Sequence, residues 1–268
     1  MKINFTNQAL QNHQQFQMKT NEEKIVDTKL IRNRTIISFL IFTLFLLSSI
    51  SGWTWLNNQP LEEGALKPLR KILYGNEIVF SALMNKDYQA KLYPQNKAAA
   101  RVRVNGDAGL STDFDSANWR LQVVRKPGDT LFITLDEIKS LPKTEIIFDF
   151  KCIEGWNQIT HWGGVKFTDF VEKYSLQEQS TLKYAGLNTP DKEYYVGIDM
   201  KSMMHSQTLL CYEMNGAPLP LNQGYPLRLI IPVKYGIKHL KRIGTLYFSN
   251  DRPPDYWFER GYDYFSGL

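Results

Sequence analysis

Cys152 stands in the stretch CIEGW (Cys152–Trp156), at the end of an apolar run, TEIIFDF, and is one of only two cysteines in 268 residues. A thiol at such a point has three possible roles. It can be an inert core residue, a nucleophile, or a thiolate ligand to a soft metal. Glu154 and His161 supply a candidate base and orienter for the nucleophile reading, which would make a thiol hydrolase. Trp156 and Trp162 suit the third reading, because aromatic walls lower the local dielectric and exclude water around a redox centre. Zinc chemistry has little support. Cys152 and Cys211 form no CxxC pair, and His13, His161, His205 and His239 show no HExxH spacing.

A second group of residues with chemical potential lies far downstream. Arg228, Lys234, Lys238, Lys241 and Arg242 fall within fifteen positions, with His239 among them, and the run from Met214 to Asn250 contains no acidic residue. These cations alternate with apolar segments (LIIP, YGI), which implies partial burial, and buried cations need an anionic partner. A phosphate-bearing ligand would supply one through Arg forks and Lys point charges. One segment thus offers a thiolate and another an anion cradle, and a cofactor combining a soft metal with a phosphate would use both.

The elements that must position these groups read as one mixed α/β domain. LKPLRKILYGNEIVFSALMN has helical spacing, with Leu69, Ile72, Leu73, Ile78, Val79 and Leu83 on broad apolar faces. ARVRVNGDAGL predicts a strand and an Asn-Gly-Asp turn, and WRLQVVRKPGDTLFITL predicts strand, Pro-Gly turn, strand. Thr134 with Glu137 forms a capping box for a short helix, and Thr168 or Asp169 is expected to cap another. TEIIFDFKC, EYYVGIDM, TLLCYEMN, YPLRLIIPV and GTLYFSN predict further strands.

The N-terminal part is organised differently. Residues 1–34 form a polar tail expected to be disordered, and 35–56 read as a membrane anchor, with no charged residue from Thr35 until Glu62. Trp53 and Trp55 suit an interfacial belt, and Lys29, Arg32 and Arg34 before the span favour a cytoplasmic N-terminus. Residues 57–65 read as a linker and 66–268 as the catalytic domain. The net charge of +5 is mild, and no nucleic-acid partner is expected from it.

CIEGWNQITHWGGVKFTDFVE followed by NGAPLPLNQGYPLRLIIPVKYGIKHLKRI resembles the sulfite oxidase family of molybdopterin-dependent oxidoreductases. The closer similarity is to its small single-domain members, those related to the catalytic subunit of periplasmic methionine sulfoxide reductase. RVNGDAGL and the final YWFERGYD extend the similarity from about Lys67 to the C-terminus. The fold implied is α+β, with the mixed sheets of the sulfite oxidase molybdopterin-binding fold preceded by one transmembrane helix. The cofactor implied is molybdenum on one pyranopterin dithiolene, with Cys152 as the protein's metal ligand and catalytic residue. The resemblance carries pterin contacts to Arg228 and to His239, Leu240 and Lys241, with Gln223, Thr189 and Asn76 as further positions. It implies two-electron oxygen-atom transfer on a small sulfite- or sulfoxide-like compound. The partners expected are a membrane cytochrome b-type electron carrier and a bilayer contacted through residues 35–56. The location expected is the inner membrane, single-pass, with a periplasmic domain, although Arg32-Asn33-Arg34 departs from a twin-arginine signal. The alternative is a cofactor-free binding or assembly subunit, or a Cys152 hydrolase, on the same fold.

Overall fold

The computed structural model describes residues 27–84 and 87–267, so most of the polar tail lies outside the described residues. The chain divides into two compact units, one ending at Asn58 and one beginning at Gln59.

In the first unit, helix α1 (Thr28–Asn57) runs for 30 residues, about 45 Å at 1.5 Å per residue. It starts before the expected Thr35, because Lys29, Leu30 and Arg32 are good helix formers and Asp27 accepts a bond from the Lys29 amide at 2.9 Å. None of its residues is buried, and Phe39, Leu40, Ile41 and Phe42 are exposed in succession. A helix apolar on every face has no side that prefers water. Its length and composition suffice to cross a hydrocarbon core.

The second unit begins inside the segment expected to be a linker. Strands β1 (Leu61–Glu62) and β2 (Ala65–Leu66) pair around Glu63 and Gly64. Gly64 has φ +75°, and a Cβ there would stand 2.4 Å from the Glu259 carbonyl oxygen, so only glycine fits. Helix α2 (Lys67–Leu83) follows, with Pro68 in its first turn. Its one buried residue is Arg70, whose guanidinium donates to the carbonyls of Glu62, Glu63, Phe258 and Tyr262 and stacks 4.2 Å from the Phe258 ring.

Two five-stranded sheets form the body. The first has the order β10 (Ala217–Pro218), β9 (Leu209–Met214), β6 (Asn157–Lys166), β5 (Lys143–Lys151), with β11 (Arg228–Ile230) also on β9, and all its pairs are antiparallel. The second runs β4 (Asp129–Ile133), β3 (Leu121–Lys126), β12 (Thr245–Ser249), β7 (Tyr184–Asn188), β8 (Tyr195–Asp199), with β12 parallel to β3 and the rest antiparallel. The first sheet is therefore antiparallel and the second mixed, within the α+β class expected. The main core joins residues of both, including Leu121, Val123, Val165, Leu187, Leu210, Leu229 and Leu246. Helices α3 (Leu135–Lys139), α4 (Phe167–Lys173) and α5 (Met200–Met203) add Ile138, Phe167, Phe170 and Met203 to it.

Local expectations divide instructively. The β3–β4 hairpin and the Thr134/Glu137 capping box both form. Residues 101–106 are not a strand; the Arg103 amide donates instead to the Gln158 side chain at 2.9 Å. Neither Thr168 nor Asp169 caps α4. The N-cap is Lys166, without a side-chain bond, and the Phe167 amide is satisfied by the Thr208 carbonyl at 3.0 Å. The apolar side chains expected to seat α2 on the body lie mostly outward.

Candidate active site

The position of Cys152 follows from strand parity. Along β5, Ile146, Phe148 and Phe150 are buried on one face, and Cys152 is the next residue of that parity. The chain then turns: the Cys152 amide donates to the Trp156 carbonyl at 2.9 Å, and the Gly155 amide to the Cys152 carbonyl at 3.1 Å. The turn re-enters as β6, which pairs with β5 from Lys151↔Asn157 to Lys143↔Val165. The thiol is buried, and burial pushes its pKa up.

A cavity with about 830 Å³ of free space, counted to its open mouth, lies over this turn. Cys152, Gln223, Arg228, His239 and Lys241 all line it, although they come from separate segments. Asn76, Thr189 and Leu240 do not. Asn76 is on the exposed side of α2, and the asparagine at the thiol is Asn105, whose Nδ2 lies 3.8 Å from the Cys152 sulfur. Thr189 is buried beneath the wall, where its hydroxyl accepts from the Tyr194 amide at 3.2 Å and so positions Tyr194, which does line the cavity. Leu240 is a core residue whose carbonyl accepts from the Leu229 amide at 2.9 Å.

Four of the five cations of the basic run form two pairs; the fifth, Arg242, does not line the cavity and donates to the carbonyls of Ser111 at 2.8 Å and Tyr225 at 3.3 Å. Lys234 meets Asp199 at 2.6 Å, and Lys238 pairs with Asp255, so these two buried lysines have carboxylates from outside the run. Arg228 and Lys241 have only neutral partners. Arg228 Nη1 donates to the Gln223 side-chain oxygen at 2.7 Å, while its buried Nε makes no hydrogen bond. Lys241 Nζ donates to the carbonyls of Asn105 and Gly106, each at 2.7 Å. Burial, and then the neighbouring Arg228 charge, pushes Lys241 down to about 7. Burial pushes Arg228 itself down to about 10, still charged at neutral pH. Burial followed by Arg228 pushes His239 down to about 3, so its ring is neutral, and its Nδ1 has no partner. Gly224, at φ +99°, lets the Gln223 segment approach Lys241, since a Cβ would stand 2.8 Å from the Lys241 Cα.

The mouth was not foreseen in the sequence. The Glu154 carboxylate accepts from Trp156 Nε1 at 2.9 Å and from Asn105 Nδ2 at 3.2 Å, and these bonds hold its pKa down. The Arg103 guanidinium lies 4.6 Å over the Trp156 ring, and Tyr194, Trp257 and Tyr262 complete the aromatic wall. The signal that could have identified Arg103 and Asn105 is their place in RVNGDAGL. His161 does not line the cavity. It lies on β6, 3.4 Å from Glu145, so Cys152, Glu154 and His161 are not assembled as a hydrolase.

A thiol beside a buried guanidinium and a half-buried ammonium, neither paired with a carboxylate, fits a metal–pterin group with a phosphate. The family model for the oxidoreductase molybdopterin binding domain matches residues 108–257. The chain belongs to that family. It is a molybdopterin-dependent oxidoreductase by membership. It is 32% identical over 227 residues to the "Putative protein-methionine-sulfoxide reductase subunit YedZ1" of Azospira oryzae, covering 84% of each chain. It is 29% identical over 166 residues to the protein-methionine-sulfoxide reductase catalytic subunit MsrP of Campylobacter jejuni, covering 55% of this chain and 54% of that one. The chain thus spans about half the length of that catalytic subunit. Similarity to the uncharacterized oxidoreductase YuiH of Bacillus subtilis is 28% over 184 residues, 68% of this chain and 91% of the relative.

Proposed function

We propose that this chain is a membrane-tethered sulfoxide reductase. It would take two electrons from a membrane cytochrome b-type carrier and remove an oxygen atom from a methionine-sulfoxide-like compound. The observation that carries the reading is the Cys152 thiol at the rim of a cavity whose Arg228 and Lys241 lack carboxylate partners. The sulfoxide as substrate comes from the printed names of the relatives.

When bound, the molybdenum–pterin group supplies the two-electron oxygen-atom exchange. Cys152 is its protein ligand, as a thiolate. Arg228 and Lys241 neutralise its anionic end, and Gln223 fixes the Arg228 fork while holding the Arg103 carbonyl at 3.2 Å. The neutral His239, packed edge-on to Phe150 with ring centroids 4.8 Å apart, adds polarity without another charge. Glu154, Asn105 and Arg103 give the mouth a carboxylate, an amide and a guanidinium, the set needed to orient a polar S=O group and to accept water as the product. Trp156, Trp257 and Tyr262 exclude bulk water and offer apolar surface to a thioether chain.

Helix α1 tethers the domain, which on the positive-inside rule lies in the periplasm. Tethering raises the effective concentration of a membrane electron donor. The test uses full-length protein in detergent, assayed for molybdenum and pterin and for methionine sulfoxide reduction with a reduced viologen dye. Sulfide formation in proportion to molybdenum supports the proposal, and a molybdenum-loaded protein inert towards sulfoxide refutes it. A chain beginning at Gln59 should keep dye-driven turnover but lose coupling to membranes. Starting at Leu66 would remove the Glu62 and Glu63 carbonyls that Arg70 requires.

A further inference from the structure

Helix α2 is amphipathic in the reverse sense. The side chains that hold it to the body are polar: Arg70 bonds to four carbonyls, Tyr74 reaches Glu62, and Glu77 pairs with Arg252. Its opposite face is apolar and uncovered. Leu69, Ile72, Val79, Phe80 and Leu83 are 41%, 61%, 54%, 53% and 72% exposed. At 100° per residue they fall, with Asn76, in one stripe about 100° wide. That stripe carries no charge, and the only acidic residue of the helix, Glu77, is turned onto Arg252. Scattered exposed leucines are ordinary, but a continuous apolar stripe on a helix anchored by its polar side marks a surface that is covered in use.

We propose that the outer face of α2 lies in the headgroup–acyl boundary of the membrane that α1 spans, so that the catalytic domain rests on the bilayer. The inference rests on the reading of α1 as a membrane span. Its support is the chain itself. Ten steps separate Asn57 from Lys67, a reach of about 35 Å at full extension, and the β1–β2 pair within them shortens it. An uncharged stripe that leaves its residual polarity to a single Asn suits an interfacial helix, whose apolar face sinks roughly 5–10 Å below the headgroups. A second copy of the chain fits less well. Leu69, Ile72, Asn76, Val79 and Leu83 follow heptad spacing, but 17 residues hold little more than two heptads, fewer than the three or four a coiled coil sustains.

The test places the photoreactive residue p-benzoylphenylalanine at Phe80, or separately at Val79, in full-length protein reconstituted in phosphatidylethanolamine and phosphatidylglycerol vesicles. Both positions are exposed, so neither replacement disturbs the core. A parallel sample carries the probe at Phe42 in α1. Irradiation should give lipid adducts at Phe80 and at Val79, read by mass spectrometry, and none at Gln177, an exposed position on the body. A covalent protein dimer in place of lipid adducts at Phe80 and Val79, or no adduct at either, overturns the inference. Phe42 separates the two readings. Lipid adducts at Phe42 but not at Phe80 sink only the resting of α2 on the bilayer. Adducts at Phe80 without adducts at Phe42 sink only the span.

Discussion

Arg70 and Tyr262 are 192 residues apart in sequence and are joined by a hydrogen bond of 2.8 Å, from the Arg70 guanidinium to the Tyr262 carbonyl. Tyr262 lines the cavity, so this bond ties helix α2 to the aromatic rim of the site. Arg70→Met takes the guanidinium from four carbonyls, of which that of Phe258 keeps the Gly261 amide at 3.0 Å, and should destabilise the domain by about 2–4 kcal/mol. Because the rim loosens before the metal side does, KM for the sulfoxide should rise more than kcat falls. Arg70→Lys cannot reproduce the planar fork and should recover little of either. Denaturant titration and steady-state kinetics read the two effects, and an unchanged KM would separate the rim from α2.

The two kinds of buried cation should respond differently to substitution. On the proposed reading, Arg228→Met and Lys241→Met should remove contacts to the anionic end of the cofactor, each costing about 2–5 kcal/mol of its binding, with the fold largely intact. Lys234→Met strands Asp199 and should instead cost about 3–5 kcal/mol of folding stability. Pterin fluorescence per chain, set beside thermal melting, distinguishes the patterns. Equal loss of pterin in all three would mean that the run acts as one block.

The pH response of pterin-free protein follows from Lys241. Its folded value is pushed down to about 7 against about 10.4 unfolded. Between these values the unfolded chain holds a proton that the native chain lacks, so stability rises with pH from about 7 to about 10. The penalty is full below about 7. Lys241→Met should flatten that slope, and so should bound cofactor, whose negative charge favours the ammonium form. Melting temperatures across this window measure it, and an equal slope in Lys241→Met would assign the effect to other groups.

The two thiols should behave unlike each other. On the proposed reading, Cys152→Ser should abolish oxygen transfer while pterin stays bound, since the cations assigned to hold it lie on other segments. Cys211 is wholly buried, its thiol 3.1 Å from the Gly163 carbonyl oxygen, and burial pushes it up to about 12. It stays protonated and inert, and Cys211→Ser should cost less than about 1.5 kcal/mol because a hydroxyl keeps both the donor and the size. Turnover and thiol-reagent labelling report on each. Full turnover in Cys152→Ser would remove it from the metal.

Much of the fold was legible where local rules and tertiary placement agree. The Pro127-Gly128 hairpin and the Thr134 cap are short-range signals, and both form. Strand β6 was missed because NQITHWGGVK has the composition of a loop. It is held as a strand by pairing with β5 on one side and β9 on the other. The thiolate segment and the basic run were legible as site components, but the sorting of the run was not. Asp199 and Asp255 lie outside it in sequence, and only the fold brings them to Lys234 and Lys238. Asn76 and Asn105 are likewise indistinguishable by residue type, and the turn after β5 selects Asn105.

That turn is closed by main-chain bonds from Cys152 to Trp156 and from Gly155 back to Cys152, and by the Glu154 carboxylate on Trp156 Nε1. Ile153 has no polar side-chain atom to give to that closure, yet it lines the cavity. The sulfur is therefore placed independently of the side chain at position 153. A change of side chain at position 153 should reshape the mouth, and with it the choice of substrate, while the sulfur stays where β5 delivers it.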